Sequence, residues 1–197
     1  MGGAPRASIK MGQKDDAGAE EIMGNCLTVL VGISVVLTAV FLFFGRDLLL
    51  LFGASGDTIG YASSYMNIYV CGTLFVQLAL GMNSFISSQG FAKTSMITVV
   101  IGAAINIALD PLFIFTFGLG VQGAALATVL SQAVSAVWVM SFLRGKKTHL
   151  RIRRRYLRPK ASVMLPVLAL GVSPFIMQST ESLVNIALNS SLQAYGG

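Results

Sequence analysis

Charged side chains are scarce in this sequence. Asp, Glu, Lys and Arg make up 11% of its 197 residues, whereas soluble domains carry about 25%. So few charges cannot supply the polar surface of a soluble fold, and the mean hydropathy is correspondingly high at +0.74. The composition therefore excludes an ordinary soluble domain and indicates a lipid bilayer as the solvent.

Residues that hold metals, disulfides or catalytic protons are scarce as well. Both cysteines, Cys26 and Cys71, lie in apolar stretches, which favours small buried side chains over a disulfide or a metal site. The single histidine, His149, lies in a basic stretch where a solvated role is more usual than catalysis. A P-loop and a zinc pattern are both missing from the sequence. We therefore expect no enzyme, no cofactor and no metal site.

Long apolar stretches are abundant. An α-helix needs about 20 residues to cross the hydrocarbon core of a bilayer. Five stretches meet this requirement, and they cover residues 25–45, 61–87, 95–117, 122–143 and 163–192. We predict an all-α, polytopic transmembrane bundle of about five spanning helices.

Basic residues alternate between the connections of these stretches. Because short loops rich in Lys and Arg stay cytoplasmic, their positions predict orientation in the cell membrane. Thirteen basic residues fall on one predicted side and one on the other. This places residues 1–24 and the basic loop at 144–162 in the cytoplasm, with four transmembrane helices within residues 25–143 and a further one within 163–197.

The loop at 144–162 holds nine basic residues. Basic runs of this kind also occur in nucleic-acid-binding proteins, and the pI is near 9.6. A position between two membrane spans makes the topological explanation more economical, so we expect no nucleic-acid partner. Contact with anionic lipid headgroups is the more natural secondary role.

Two acids, Asp110 and Glu181, lie inside predicted spans, where ionisable groups usually mark a pathway or a relay. Asn106 and Asp110 are four residues apart and so share a helix face. Thr128, on the next helix, lies about 10 Å from the outer end against about 12 Å for Asp110. These three side chains can form one polar cluster, extended by Gln132, in which Asp110 takes up and releases protons. The alternative is a neutral carboxyl that only joins two helices.

Further polar side chains are candidates for a substrate path. Tyr65, Tyr69, Thr73 and Gln77 follow at steps of four residues and form a polar stripe on the second predicted helix. This stripe can line a cavity or equally supply interhelical hydrogen bonds. Glu181 has no partner visible in the sequence, and its alternative role is that of an acid at a helix break or at the outer interface.

Four segments carry a family resemblance: LFGA at 51–54, GMNSFI at 81–86, NIALDPLFI at 106–114 and GLGVQGAALAT at 118–128. Gln89-Gly90 and Lys93 follow the second of them. Together they resemble the multidrug and toxic compound extrusion (MATE) transporters over most of the chain. Residues 185–197 are similar to the start of that family's second half.

The resemblance implies an antiporter of twelve helices in two six-helix lobes, driven by H⁺ or Na⁺. Such a protein exports drugs or amphipathic organic cations by alternating access and acts as a monomer in the bilayer. The matching residues Asn106, Asp110 and Thr128 would belong to the cation site of the first lobe. Tyr69, Thr73, Gln77, Gln132 and Glu181 would lie near the substrate path.

The chain departs from the family pattern at its ends and in one loop. It corresponds to family helices three to seven, so the first helix with its own buried acid is missing and we expect a fragment. Ser87 and Ser88 stand where many relatives carry Arg. Two alternatives remain: a non-transporting membrane piece, and a lipid-linked oligosaccharide flippase of related architecture, which would need a more cationic cavity.

Overall fold

Seven α-helices follow one another in the computed structural model, which describes residues 2–52, 54, 56 and 58–195. They are α1 (Gly3–Gly12), α2 (Asp16–Leu51), α3 (Ile59–Cys71), α4 (Thr73–Ser88), α5 (Ala92–Pro111), α6 (Gly120–Arg144) and α7 (Ala161–Tyr195). A π-helical turn, Leu112–Thr116, extends α5, and a 3-10 turn, Arg154–Tyr156, lies between α6 and α7. Met1, Gly53, Gly196 and Gly197, which the predictions above include, lie outside the described residues.

The predicted fold class is confirmed. Within the described part of the chain, four helices are long and apolar enough to cross a membrane: α2, α5 with its π-helical turn, α6 and α7. A fifth span is formed if α3 and α4 are counted together as one bent crossing. The bundle therefore has four to five candidate spans, against the prediction of about five.

The first span begins nine residues earlier than the predicted boundary at residue 25. Asp15 caps α2, since its side chain accepts a hydrogen bond of 2.9 Å from the backbone N–H of Gly18. The side-chain hydrogen bond with Lys10 also lowers the pKa of Asp15. Residues 16–24, predicted as part of the cytoplasmic segment 1–24, thus belong to the same helix as the membrane span. Hydropathy misses this start because the first turns of α2 carry acids.

The second predicted span is not one straight helix. Residues 59–71 and 73–88 meet at Gly72 with a bend of 57°. A Cβ atom at Gly72 would lie 2.6 Å from Cγ2 of Val129 on α6, so only glycine permits this approach of the two helices. The apolar stretch predicted at residues 61–87 is therefore helical but bent at Gly72.

The best-packed part of the bundle lies where α2 and α7 begin and where α4 and α6 end. Met23, Met82, Ile86, Leu143 and Leu150 are fully buried there. Leu150 belongs to the linker, residues 145–160, which joins α6 to α7. The linker is thus part of the core at this end of the bundle.

Polar contacts also fix the linker to α2. The Asn25 amide donates to the Tyr156 carbonyl at 3.1 Å and accepts from the Lys160 backbone N–H at 2.5 Å. The Thr28 hydroxyl donates to the Leu157 carbonyl at 2.6 Å. We call this set of contacts, together with the ion pairs that Glu20 and Glu21 make to the linker, the linker clamp.

Candidate functional site

A cavity of about 230 Å³ opens between α4, α5 and α6, and we call it the polar cavity. Three of its lining residues were predicted to be functional: Asn106, Thr128 and Gln132. Four further polar side chains line it that were not among the predicted site residues: Asn83, Thr98, Ser131 and Ser135. The polar cavity therefore collects side chains from three helices.

Small residues bring α5 and α6 close together at this cavity. A Cβ atom at Gly102 would lie 2.6 Å from the Oγ atom of Ser135. The Ser135 hydroxyl donates to the Thr98 carbonyl at 3.4 Å, across the two helices. Such close approach is how membrane helices associate when lipid removes the hydrophobic driving force.

Asp110 is half-buried on α5 and joins the polar cavity through Asn106. The Asn106 Nδ2 atom donates to Asp110 Oδ1 at 3.3 Å, as the spacing of four residues leads one to expect. The Thr128 hydroxyl donates to the Ala124 carbonyl at 3.0 Å on its own helix rather than to Asp110. Asn106 is therefore the link between the carboxyl and the cavity that Thr128 lines.

The chain leaves the α conformation just after Asp110. Pro111 ends α5, and the following turn is π-helical, with the Phe117 N–H donating to the Leu112 carbonyl at 3.0 Å. Proline cannot donate to the preceding turn, and π-helical turns are frequent at functional sites. The tight return into α6 depends on Gly118 and Gly120, whose φ angles are 65° and 54°.

Asn83 has an unusual environment on α4. Its Nδ2 atom donates to the Ser95 carbonyl at 3.1 Å. Its Oδ1 atom is buried and is the one such side-chain oxygen or nitrogen in the described structure without a hydrogen-bond partner. A buried carbonyl oxygen without a donor costs free energy, so this oxygen is available to a cation, water or a protonated group. The only sequence signal for it is an amide within an apolar stretch.

The predicted tyrosine stripe is divided by the bend at Gly72. Tyr65 and Tyr69 stack with ring centroids 5.8 Å apart and line a second cavity of about 480 Å³, mostly apolar, which we call the tyrosine cavity. Thr73 and Gln77 lie beyond the bend on α4 and do not line it. The prediction of one continuous stripe is wrong because it assumed a straight helix.

Glu181 is separated from both cavities in the described structure. It lies exposed on α7, and its carboxylate accepts a hydrogen bond of 2.9 Å from Gln178 on the same helix. Among the described elements, α7 packs against α1 and α2 and not against α5 or α6. Glu181 therefore has a local partner, which the sequence did not reveal, and it is not brought to Asp110.

Comparisons with known proteins place these features in context. A family profile described as MatE matches residues 1–112. The chain is 28% identical, over its whole length, to the multidrug export protein MepA of Staphylococcus saprophyticus, of which it covers 44%. It is 33% identical, over 96% of its length, to the probable multidrug resistance protein YoeA of Bacillus subtilis, of which it covers 43%.

A solved structure is similar over nearly the whole chain. It is the inward-facing conformation of a multidrug resistance MATE family transporter of the MOP superfamily, with a TM-score of 0.90 and 28% identity. The alignment covers 96% of this chain and 43% of that one. The chain thus spans less than half the length of the proteins that it matches.

Proposed function

The chain belongs to the MatE family of multidrug efflux transporters, and on this premise we propose that it is part of a secondary active antiporter. The protein exports drugs or other amphipathic organic cations across the cell membrane by alternating access. An inward gradient of H⁺ or Na⁺ drives export. The relatives named above cover the chain but extend well beyond it, so the proposed activity is that of the whole protein.

The hydrogen bond between Asn106 and Asp110 beside the polar cavity carries this proposal. Ionisable groups within membrane spans are costly and commonly mark ion pathways, and Asp110 is linked to the polar cavity through Asn106. Asp110 can bind a proton directly. The same carboxylate, the Thr128 hydroxyl and the side-chain oxygens of Asn83 and Asn106 are also the hard oxygen ligands that an alkali cation prefers.

Coupling follows from competition for this carboxylate. In the proposed cycle, the carboxylate form of Asp110 holds the Asn106 amide when no cation is bound. A proton or sodium ion neutralises that charge and weakens the bond. The side chains of the polar cavity then rearrange, among them Gln132, which lies one turn beyond Thr128. Through this rearrangement, cargo and coupling ion replace one another. This exchange requires the two states to differ in affinity for each ligand.

The walls of both cavities favour an organic cation as cargo. The polar cavity is lined, within the described residues, by neutral side chains rather than by the cations that an oligosaccharide flippase would need. In the tyrosine cavity, Tyr61, Tyr65 and Tyr69 offer ring faces that attract cations. We assign cargo binding to Tyr69 and Gln132, and we give Thr73, Gln77 and Glu181 no direct contact with it.

Dye efflux by the full-length protein in proteoliposomes tests the proposal. We expect Asp110→Asn to abolish ethidium efflux driven by an imposed pH or sodium gradient. Asp47→Asn makes the same chemical change at an exposed position of α2 and should leave efflux intact. Applying each gradient separately identifies the coupling ion. Gradient-driven efflux by Asp110→Asn at the wild-type rate would refute the coupling role.

A further inference from the structure

The linker concentrates positive charge at one end of the bundle. Nine basic residues and no acid lie within residues 144–160, and every one of the nine is exposed. They are Arg144, Lys146, Lys147, Arg151, Arg153, Arg154, Arg155, Arg158 and Lys160. A charge run of this kind is usually flexible and solvated, so its conformation decides whether it can form a surface.

The linker backbone is held in place at several points. Besides the linker clamp on α2, the side chain of Gln89, the C-cap residue of α4, accepts from the Thr148 hydroxyl at 2.7 Å and from the Leu150 N–H at 2.8 Å. The side chain of Leu150 is completely buried. The His149 ring stacks on Phe91 with centroids 5.5 Å apart. The basic side chains therefore project from an ordered backbone.

The linker clamp uses only two of the nine cations. Arg153 Nε lies 2.6 Å from Glu20 Oε2, and Lys160 Nζ lies 2.6 Å from Glu21 Oε1. The remaining seven form no ion pair with a described residue. Within the described residues, most of the linker charge is therefore not neutralised by an acid.

Two of the seven have contacts that orient them without neutralising them. The Arg155 guanidinium lies 4.4 Å from the centroid of the Tyr156 ring. The Arg151 guanidinium donates to the Lys146 carbonyl at 3.3 Å. Arg154 and Arg155 also share the 3-10 turn, which fixes their spacing. Ordered guanidinium groups suit phosphate oxygens, which they bind in a bidentate manner.

The position of the linker favours lipid headgroups over soluble anions as the source of the phosphate. It joins the end of one candidate span, α6, to the start of the next, α7, so its residues lie at the level of lipid headgroups. On the cytoplasmic side, which is the orientation that the proposed function assumes, anionic lipids attract basic segments. A soluble anion or a nucleic acid would have to compete with headgroups that are already at this depth.

We propose that the linker is a binding surface for the phosphate groups of anionic phospholipids. Lys146, Lys147, Arg154, Arg155 and Arg158 supply the contacts, and the linker clamp holds them in register. Bound lipid anchors the linker against the membrane surface.

Native mass spectrometry of the purified full-length protein, titrated with phosphatidylglycerol or phosphatidylcholine, tests this surface. We expect clear preference for phosphatidylglycerol. The triple variant Arg154→Gln, Arg155→Gln, Arg158→Gln should weaken its binding by at least about tenfold, since each basic residue near an anionic surface contributes roughly fivefold. The charge-retaining triple variant Arg154→Lys, Arg155→Lys, Arg158→Lys should lose less affinity than the Gln variant, because Lys keeps the charge but not the bidentate geometry, and phosphatidylcholine binding should not change.

Several outcomes would overturn the proposal. These are equal binding of both lipids, unchanged phosphatidylglycerol affinity in the Gln triple variant, full displacement by millimolar inorganic phosphate, and tighter binding of a single-stranded oligonucleotide. The double variant Lys146→Gln, Lys147→Gln provides an independent repeat, should the triple variant fold poorly. Because the titration uses neither drug nor ion gradient, its result is separate from that of the efflux test on Asp110→Asn.

Discussion

Asn25 in the linker clamp and Asn83 in the polar cavity are the same residue type on apolar helices, yet their hydrogen bonding differs. Asn25 is completely buried, donates to the Glu21 and Tyr156 carbonyls and accepts from the Lys160 N–H. Asn83 donates to the Ser95 carbonyl, and its buried oxygen has no partner among the described residues.

This difference distinguishes a fully hydrogen-bonded amide from one with a free acceptor. A fully bonded buried amide rigidifies the contact that it makes, so the linker clamp is a structural element. A buried oxygen that lacks a donor keeps its desolvation cost until a ligand arrives. The polar cavity therefore contains one buried acceptor that is not paired within the described residues.

The largest effect on stability is expected at Asn25. Asn25→Ala removes three hydrogen bonds from a buried site and should lower the free energy of unfolding by about 2–4 kcal/mol. Thermal unfolding of the full-length protein in detergent measures this. The matched variant Asn67→Ala, at an exposed position of α3, should change it by less than about 0.5 kcal/mol. Similar melting temperatures for the two variants would contradict a structural clamp.

A smaller effect is expected at Glu20. Its side chain is only 6% exposed and pairs with Arg153, which is 52% exposed. Glu20→Gln keeps the shape but removes the charge, while Arg153 stays hydrated, so we expect a loss of about 1–2 kcal/mol.

Glu21→Gln is the internal comparison for Glu20→Gln. This carboxylate is 23% exposed, its partner Lys160 is 62% exposed, and water screens the pair, so the loss should stay near about 0.5 kcal/mol. A larger loss of stability at Glu21 than at Glu20 would show that burial of the carboxylate does not determine how much each ion pair contributes to the linker clamp.

A small effect on stability is expected at Asn83, with a large effect on transport. Asn83→Ala loses one hydrogen bond and also removes the unbonded oxygen, so the free energy of unfolding should change by less than about 1 kcal/mol. Efflux per folded protein should nevertheless fall, because the polar cavity loses a ligand atom. Destabilisation equal to that of Asn25→Ala, with normal efflux of the folded fraction, would remove the distinction between the two regions.

The part of the site that could be predicted rests on local spacing. Asn106 and Asp110 lie one helical turn apart, so their hydrogen bond follows from helix geometry. The short Gly-rich turn forces α5 and α6 together, which is why Thr128 and Gln132 line the same cavity as Asn106. Asn83 was not predicted as a site residue because its missing partner is a property of the surrounding packing. Tyr69 and Thr73 were wrongly assigned to one continuous stripe because the chain bends at Gly72 between them.

The sequence by itself determined the membrane character, the helical class and most of the candidate membrane spans. These depend on the overall composition and on the length of apolar stretches, and both can be read directly from the order of residues along the chain. Only the tertiary structure decided the bend at Gly72, the free oxygen of Asn83 and the order of the linker. Each depends on contacts between distant parts of the chain, such as that of Asn25 with Tyr156, 131 residues away, and no local pattern encodes them.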